Sequence, residues 1–333
     1  MTSRRNFIGA AGGLSVAGLT TGLSALPINA RAQAMPEVAR IVVGFPPGGP
    51  TDVFARRIAE RLRGTLAANV VVDNKPGAGG QVGVLNVKDA PADGTVLLLT
   101  PAGMITVYPH SYSRLGYRAD DVLPVTTATF IVHGLGIGPG VPESVRTLAE
   151  FITWARANPD RASVGSPGAG SMPHLLVASL SRQTGANLNH IPFLGSGPGI
   201  PQMLGGQIAA MSSPVGDYVQ HVKAGKVRLL ATSGPTRSVF APDVPTYREQ
   251  GFADLVSREW FGFFLPGKTP AAVRERVSVA LRRALALPEV VESMKVFGQE
   301  VESMGIREFE DLVRADSERA GQLVRALGFK ADS

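Results

Sequence analysis

The sequence predicts an α/β protein built as two lobes, and three observations carry that prediction. Short apolar runs alternate with helical patterns along the chain, glycine and proline gather where the runs end, and the alternation restarts near Val141 with a rhythm of its own. Runs that stay apolar on both faces read as strands covered by helices on each side, the arrangement of a parallel sheet.

The N-terminal segment is set apart from the fold. Residues 1–8 read Met1-Thr2-Ser3-Arg4-Arg5-Asn6-Phe7-Ile8, an uncharged Gly/Ala/Leu-rich run covers 9–30, and Arg31-Ala32-Gln33-Ala34 follows. This is the three-part pattern of a secretory signal. The pair Arg4-Arg5, with Ser3 before it and Phe7-Ile8 after, points to twin-arginine export to the periplasm, and the small residues Ala32 and Ala34 place cleavage after Ala34. The competing reading is an uncleaved membrane anchor, since 9–30 approaches the roughly 20 residues that span a bilayer; its glycines and threonines weigh against that. The chain of 333 residues has no cysteine, which excludes a lipid anchor and disulfides alike.

Cleavage leaves 299 residues, room for about two domains of roughly 150 residues each. The leader holds three of the 33 basic residues and no acid, so the formal charge falls from +6 to +3. With no Lys/Arg block longer than a pair, nucleic acid is not an expected partner. Lobe 1 is assigned to 35–135 plus 250–333, and lobe 2 to 136–249.

In lobe 1, Arg40-Ile41-Val42-Val43-Gly44-Phe45 is a buried strand ending in Pro46-Pro47-Gly48-Gly49-Pro50. A helix follows, with Val53, Phe54, Ile58, Leu62 and Leu66 at helical spacing and Thr51 or Asp52 at its cap. The unit recurs: strand 70–73, the loop Asn74-Lys75-Pro76-Gly77-Ala78-Gly79-Gly80, a helix through Val82, Leu85 and Val87, then strand 96–99. Residues 134–140 read as strand followed by loop.

In lobe 2, a helix at 147–157 precedes a strand at 162–165, the junction 166–171 and a helix at 172–183. Then come Asn189-His190-Ile191-Pro192-Phe193, the loop 194–198, a helix near 200–204, strand 208–211, helix 215–224 and strand 227–232. From Glu259 a strand runs to Leu265, Pro270 opens a helix to 287, and another helix covers 307–327. The last three elements are expected to return to lobe 1. Ligands of open α/β sheets bind beyond the carboxyl ends of strands, where every Gly-rich junction lies.

Such a junction can hold an anion without a cationic side chain. Pro47-Gly48-Gly49 brings bare N–H groups close to a ligand, and the next helix adds its positive end. Each helix end contributes roughly 0.3–1 kcal/mol when exposed and up to about 2 kcal/mol when partly buried. Two or three converging ends, with hydrogen bonds, approach the ~8 kcal/mol of micromolar binding. The alternative is that glycine and proline merely make turns; several such loops at equivalent strand ends favour a shared cleft.

The residues resemble a known family. Phe45-Pro46-Pro47-Gly48-Gly49-Pro50-Thr51-Asp52, residues 73–80, Ala92-Asp93-Gly94, Leu204-Gly205-Gly206-Gln207, Lys223-Ala224-Gly225-Lys226 and Ala241-Pro242-Asp243-Val244-Pro245-Thr246 are similar to the Bug receptors, the periplasmic components of tripartite tricarboxylate transporters. The motifs stand in the family's order over essentially the whole mature chain. The resemblance implies a two-lobed periplasmic-binding-protein fold, a Venus flytrap of type II kind, with a carboxylate between the lobes. It implies a monomer that needs no cofactor and hands its ligand to a tripartite permease or reports it to a sensor kinase.

By the same resemblance, Phe45, Pro47, Gly48, Gly49, Thr51 and Asp52 form the first binding loop. Ser166, Gly168, Ser171 and His174 form the second, with one residue more than the family's usual spacing before His174. Phe193, Gly195, Ser196 and Ser213 complete the expected set. Where the family commonly reads Pro-Tyr-Lys-Gly this chain has Pro192-Phe193-Leu194-Gly195, and where it commonly reads Phe-Asp-Asn this chain has Ser212-Ser213-Pro214. The lost acid argues against gripping an amino group and for a plain or apolar-bodied carboxylate.

Sharper motifs give way to plainer ones. Gly262-Phe263-Phe264-Leu265-Pro266-Gly267-Lys268-Thr269 fits the P-loop pattern, but a phosphate cradle needs small residues where Phe-Phe-Leu-Pro stands. His110, His133, His174, His190 and His221 show no metal-chelating spacing. Asp52, Ser171 and His174 could serve an exported hydrolase or isomerase; against that, an acid at a helix start is ordinarily a cap, and no Gly-x-Ser-x-Gly elbow is present. Phe45 either packs over the ligand or ends the core strand.

Overall fold

The computed structural model of the protein describes residues 35–330; the expected signal segment and its cleavage site lie outside the described residues. β1 (Val38–Val43) pairs in parallel with β2 (Asn69–Asn74) on one side and β3 (Val96–Pro101) on the other. α1 (Pro50–Leu62) connects β1 to β2. Proline suits its first position, where the missing N–H has no partner to lose. Phe54, Ala55, Ile58, Ala59 and Leu62 face the sheet and are buried. α2 (Gln81–Lys88) returns the chain to β3, and two single turns follow, α3 (Gly103–Thr106) and α4 (Tyr108–Ser111).

The main departure from the sequence reading is β4 (Val122–Ile137), a strand of 16 residues, of which the pattern revealed only the end. Pro124 and the threonines Thr126, Thr127 and Thr129 interrupt its apolar run. Those threonines are nevertheless buried, and Thr126 and Thr127 donate from their hydroxyls to Met304 O at 2.9 Å and Glu302 O at 2.7 Å. Up to Val132, β4 pairs antiparallel with β9 (Arg258–Pro266); from His133 onward it pairs with β7 (Ala210–Pro214) and β8 (Arg228–Thr232). One strand thus serves both halves of the sheet, whose order is β2-β1-β3-β9-β4-β7-β5-β6.

The elements of the second half are α5 (Leu148–Ala157), β5 (Ser163–Ser166), α6 (Met172–Thr184), β6 (Asn189–Pro192), α7 (Ser196–Leu204), β7, α8 (Val219–Lys223) and β8. β5 pairs in parallel with β6 and β7. The expected parallel order therefore holds within β2-β1-β3 and β6-β5-β7. β4 and β9 are the antiparallel members, and of the two only β4 extends into both halves.

Helices cover the sheet as the apolar runs require. Val277 and Leu281 of α9 (Ala271–Leu285) share a core with Ile41, Phe54 and Leu97; α10 (Pro288–Lys295), set off by Pro288, adds Val290 and Met294. After β10 (Glu300–Val301), which pairs with β4, α11 (Ile306–Leu327) covers the opposite face. There Phe309 meets Trp260 edge-on with centroids 4.8 Å apart, and the Trp260 indole N–H donates to Asp316 at 2.8 Å. A separate core gathers Leu135, Phe151, Leu176, Leu180, Tyr247 and Leu255.

Ser233 ties the two crossings together. Its hydroxyl accepts the His133 N–H at 2.9 Å and donates to Ser257 O at 2.6 Å, so β4 and the entry to β9 are fixed side by side. No described helix is long and apolar enough to cross a membrane.

Candidate functional site

A cavity of about 460 Å³ opens at the junction of the two half-sheets, within the range of small-molecule sites, roughly 300–1,000 Å³. Three helix N-termini border it: α1, capped by Gly49, α6, capped by Ser171, and α7, capped by Gly195. Each follows a junction after a short strand, so the sequence brings them to one side of the sheet. Gly48 has φ +87°, a turn that a side chain would strain, and this bares the loop backbone ahead of α1.

Of the residues expected at the site, Phe45, Pro47, Gly48, Gly49, Thr51, Ser171, Gly195 and Ser196 line this cavity. The others stand behind its wall. The Asp52 carboxylate accepts the Gly48 N–H at 2.9 Å, Arg56 Nε at 2.9 Å and Asn74 Nδ2 at 3.0 Å, and Asn74 also donates to Phe45 O. Burial works against its charge, but these hydrogen bonds hold its carboxyl below the ordinary range. Asp52 therefore holds the first loop in shape from beneath.

The second loop has a similar support. Ser166 Oγ lies 3.1 Å from Gly168 O and 2.7 Å from His190 Nε2, within hydrogen-bond reach of both. His174 Nδ1 accepts the Gly170 N–H at 2.9 Å, and its ring stacks on His190 with centroids 3.6 Å apart. Burial pushes His174 down to about 4; burial and the neighbouring ring push His190 down to about 3. Phe193 packs against Gly165 and Gly199, and Ser213 donates to Asp217. Ser171 donates to Gly168 O at 2.7 Å. Asp52, Ser171 and His174 are thus each hydrogen-bonded to backbone groups of the loops they support.

The structure adds residues that sequence reasoning missed: His133, Asp217, Glu259 and Gln299 all line the cavity. His133 Nε2 lies 2.8 Å from Glu259 Oε2, and Glu259 Oε1 accepts the Gly103 N–H at 3.2 Å. Asp217 is raised by burial, against the hydroxyls of Ser213 and Ser196 and the nearby His133. The expectation that this wall lacks an acid is corrected here: Asp217 reaches it from the turn after β7, four residues beyond Ser213. The available signals were a charge at the head of an apolar strand, Glu259, and a histidine inside one, His133. Around them the wall is mainly apolar, with Phe45, Met104, Ile131, Phe261 and Phe297, and Leu194 at 90% exposure on its rim. Among the described residues no lysine or arginine lines it, and no group of three or more acids and histidines could hold a metal.

Comparison with known proteins places this geometry. Residues 54–329 match the family described as the tripartite tricarboxylate transporter family receptor. A Pseudomonas sp. (strain P51) protein, described as a UPF0065 protein in the tcbD-tcbE intergenic region, is 33% identical over 285 residues, 85% of this chain and 84% of its own. The structure of the periplasmic binding protein BugD superposes with a TM-score of 0.80 at 30% identity, covering 89% of this chain and 99% of that one. MatC from Rhodopseudomonas palustris, solved with bound malate, gives 0.78 at 28% identity, covering 86% and 99%. The fold is that of a two-lobed periplasmic binding protein, and the chain belongs to the receptors of the tripartite tricarboxylate transporter family.

Proposed function

We propose that the protein is a periplasmic solute-binding receptor that captures a small carboxylate between its lobes, for uptake or for sensing. The observation that carries this reading is the convergence of three helix N-termini on one mainly apolar cavity. Helix ends and bare loop N–H groups suit an oxyanion. The lobes, read from the sequence as 35–135 plus 250–333 and 136–249, meet at a hinge where β4 passes Val132 and His133 and the chain returns at Ser257 and Arg258, which moves their bounds to 132/133 and 257/258. Ligand binding stabilises closure by favouring the closed state. Export runs by the twin-arginine route with cleavage after Ala34. The closed monomer then meets a tripartite permease or a sensor kinase, and the eight expected residues that line the cavity, together with those behind its wall, form the binding loops. The malate in MatC, a relative of the same fold, supports a carboxylate as the ligand class.

The test is a thermal-shift screen of the purified protein against mono-, di- and tricarboxylates and aromatic acids. A ligand at 100-fold its dissociation constant adds about 2.7 kcal/mol, which raises Tm by several degrees. Recovery of the bound compound unchanged separates a receptor from an enzyme. No shift with any carboxylate sinks the reading.

A further inference from the structure

We infer that the cavity takes a ligand with one carboxylate, an apolar body and an N–H or O–H donor, and that it disfavours a second carboxylate. The inference rests on the carboxylate-receptor reading and names the ligand class for that same site.

The argument begins with the charges on the wall. Asp217 and Glu259 both line the cavity, with His133 hydrogen-bonded to Glu259 and near enough to Asp217 to act on its charge. No described lysine or arginine faces them. The positive helix ends are also partly answered from within the protein. α1 carries Asp52 in its first turn, and Asp217 takes a hydrogen bond from Ser196 at the start of α7. α6 has no acid in its first turn. One ligand carboxylate can therefore be held at the α6 end and the bare loops, whereas a second would meet Asp217 or Glu259 with no lysine or arginine to offset it.

The open hydrogen-bonding positions point the same way. Gln299 is 4% exposed, lines the cavity, and its Oε1 has no partner. His133 is 1% exposed, and its Nδ1 has none either. The acceptor among them is Gln299 Oε1. Unpaired buried acceptors are costly. A ligand that supplies an N–H or O–H satisfies Gln299 Oε1, and a second carboxylate cannot. Between the two polar ends, Phe45, Ile131, Phe261 and Phe297 require an apolar body.

The experiment is calorimetric titration with two sets of compounds matched in shape. The first is hexanoate, 6-aminohexanoate and adipate; the second is benzoate, 4-hydroxybenzoate and terephthalate. In the set that fits, the donor-bearing monocarboxylate binds at least tenfold more tightly than the plain acid and than the dicarboxylate. Glu259→Gln and, separately, Asp217→Asn narrow the gap to the dicarboxylate at least fivefold; using both variants guards against one that fails to fold. Dicarboxylates that bind as tightly as their donor-bearing counterparts overturn the inference while leaving the receptor reading intact. So does a plain acid that matches the donor-bearing one. If no mono-, di- or tricarboxylate binds, the receptor reading fails and this inference falls with it.

Discussion

Gly216 and Phe297 abut so closely that a Cβ built on the glycine would stand 1.8 Å from the Phe297 carbonyl oxygen. Gly216 follows β7 in the second half of the sheet, whereas Phe297 packs on the core of the first. The contact adjoins Asp217, Phe297 and Gln299, which line the cavity. Gly216→Ala is expected to hold the halves apart and to weaken ligand binding at least tenfold. The backbone shift costs about 1–3 kcal/mol of overpacking. Titration of a ligand found by the screen, with small-angle scattering of the bound form, checks this: unchanged affinity and an unchanged radius of gyration would count against the glycine as a closure contact.

Asp52→Ala removes the acceptor shared by Gly48, Arg56 and Asn74. Roughly 1–3 kcal/mol of stability is expected to go with it, together with most of the ligand affinity that depends on the loop. Its carboxyl is held below the ordinary value of about 4. The stability it provides is therefore complete above about pH 4 and is lost as pH falls through the lower folded value. Denaturation curves of the two proteins should stay a constant distance apart near neutrality and converge in acid.

The stacked pair His174 and His190 has the opposite origin and a different window. Both rings are held neutral in the fold and would take protons near the ordinary value of about 6.5 once unfolded. Their depressed folded values mean that stability is whole above about pH 6.5 and declines toward pH 4, at about 1.4 kcal/mol per pH unit for each ring. His174→Asn keeps an acceptor for the Gly170 N–H but cannot titrate. A Tm profile of the variant between pH 7 and pH 4 should be flatter than that of the parent; parallel profiles would sink the assignment.

Phe309 is fully buried and lies against Trp260 and Phe264 at 4.8 and 5.4 Å. Phe309→Ala is expected to destabilise the fold by about 3–5 kcal/mol. Urea unfolding followed by tryptophan fluorescence measures it, and a loss under 1 kcal/mol would mean that α11 is held mainly by other contacts.

What the sequence disclosed and what it withheld divide along a physical line. The loops at Pro47 to Gly49, at Ser171 and at Gly195 could be read in advance because strand, glycine junction and helix are neighbours in the chain. β4 could not, since Thr126 and Thr127 are satisfied by Met304 and Glu302, far away in sequence. His133, Asp217, Glu259 and Gln299 come from four separate segments and share a wall only after the chain has crossed between the half-sheets twice. The loss of the family's usual acid near Ser213 was legible; the arrival of Asp217 in its place depended on the turn after β7.

The position of β9 between β3 and β4 governs when the protein can fold. Until Arg258 to Pro266 have been synthesised, Leu98 and Leu99 have no antiparallel neighbour, and β4 lacks the partner along most of its length. The first half-sheet cannot close on a partial chain, however complete its own helices are. Such long-range pairing slows folding and leaves apolar strand edges open to association in the meantime. A chain cut short before β9 is accordingly a target for proteases and chaperones, and its last quarter acts as the check that lets a finished molecule escape both.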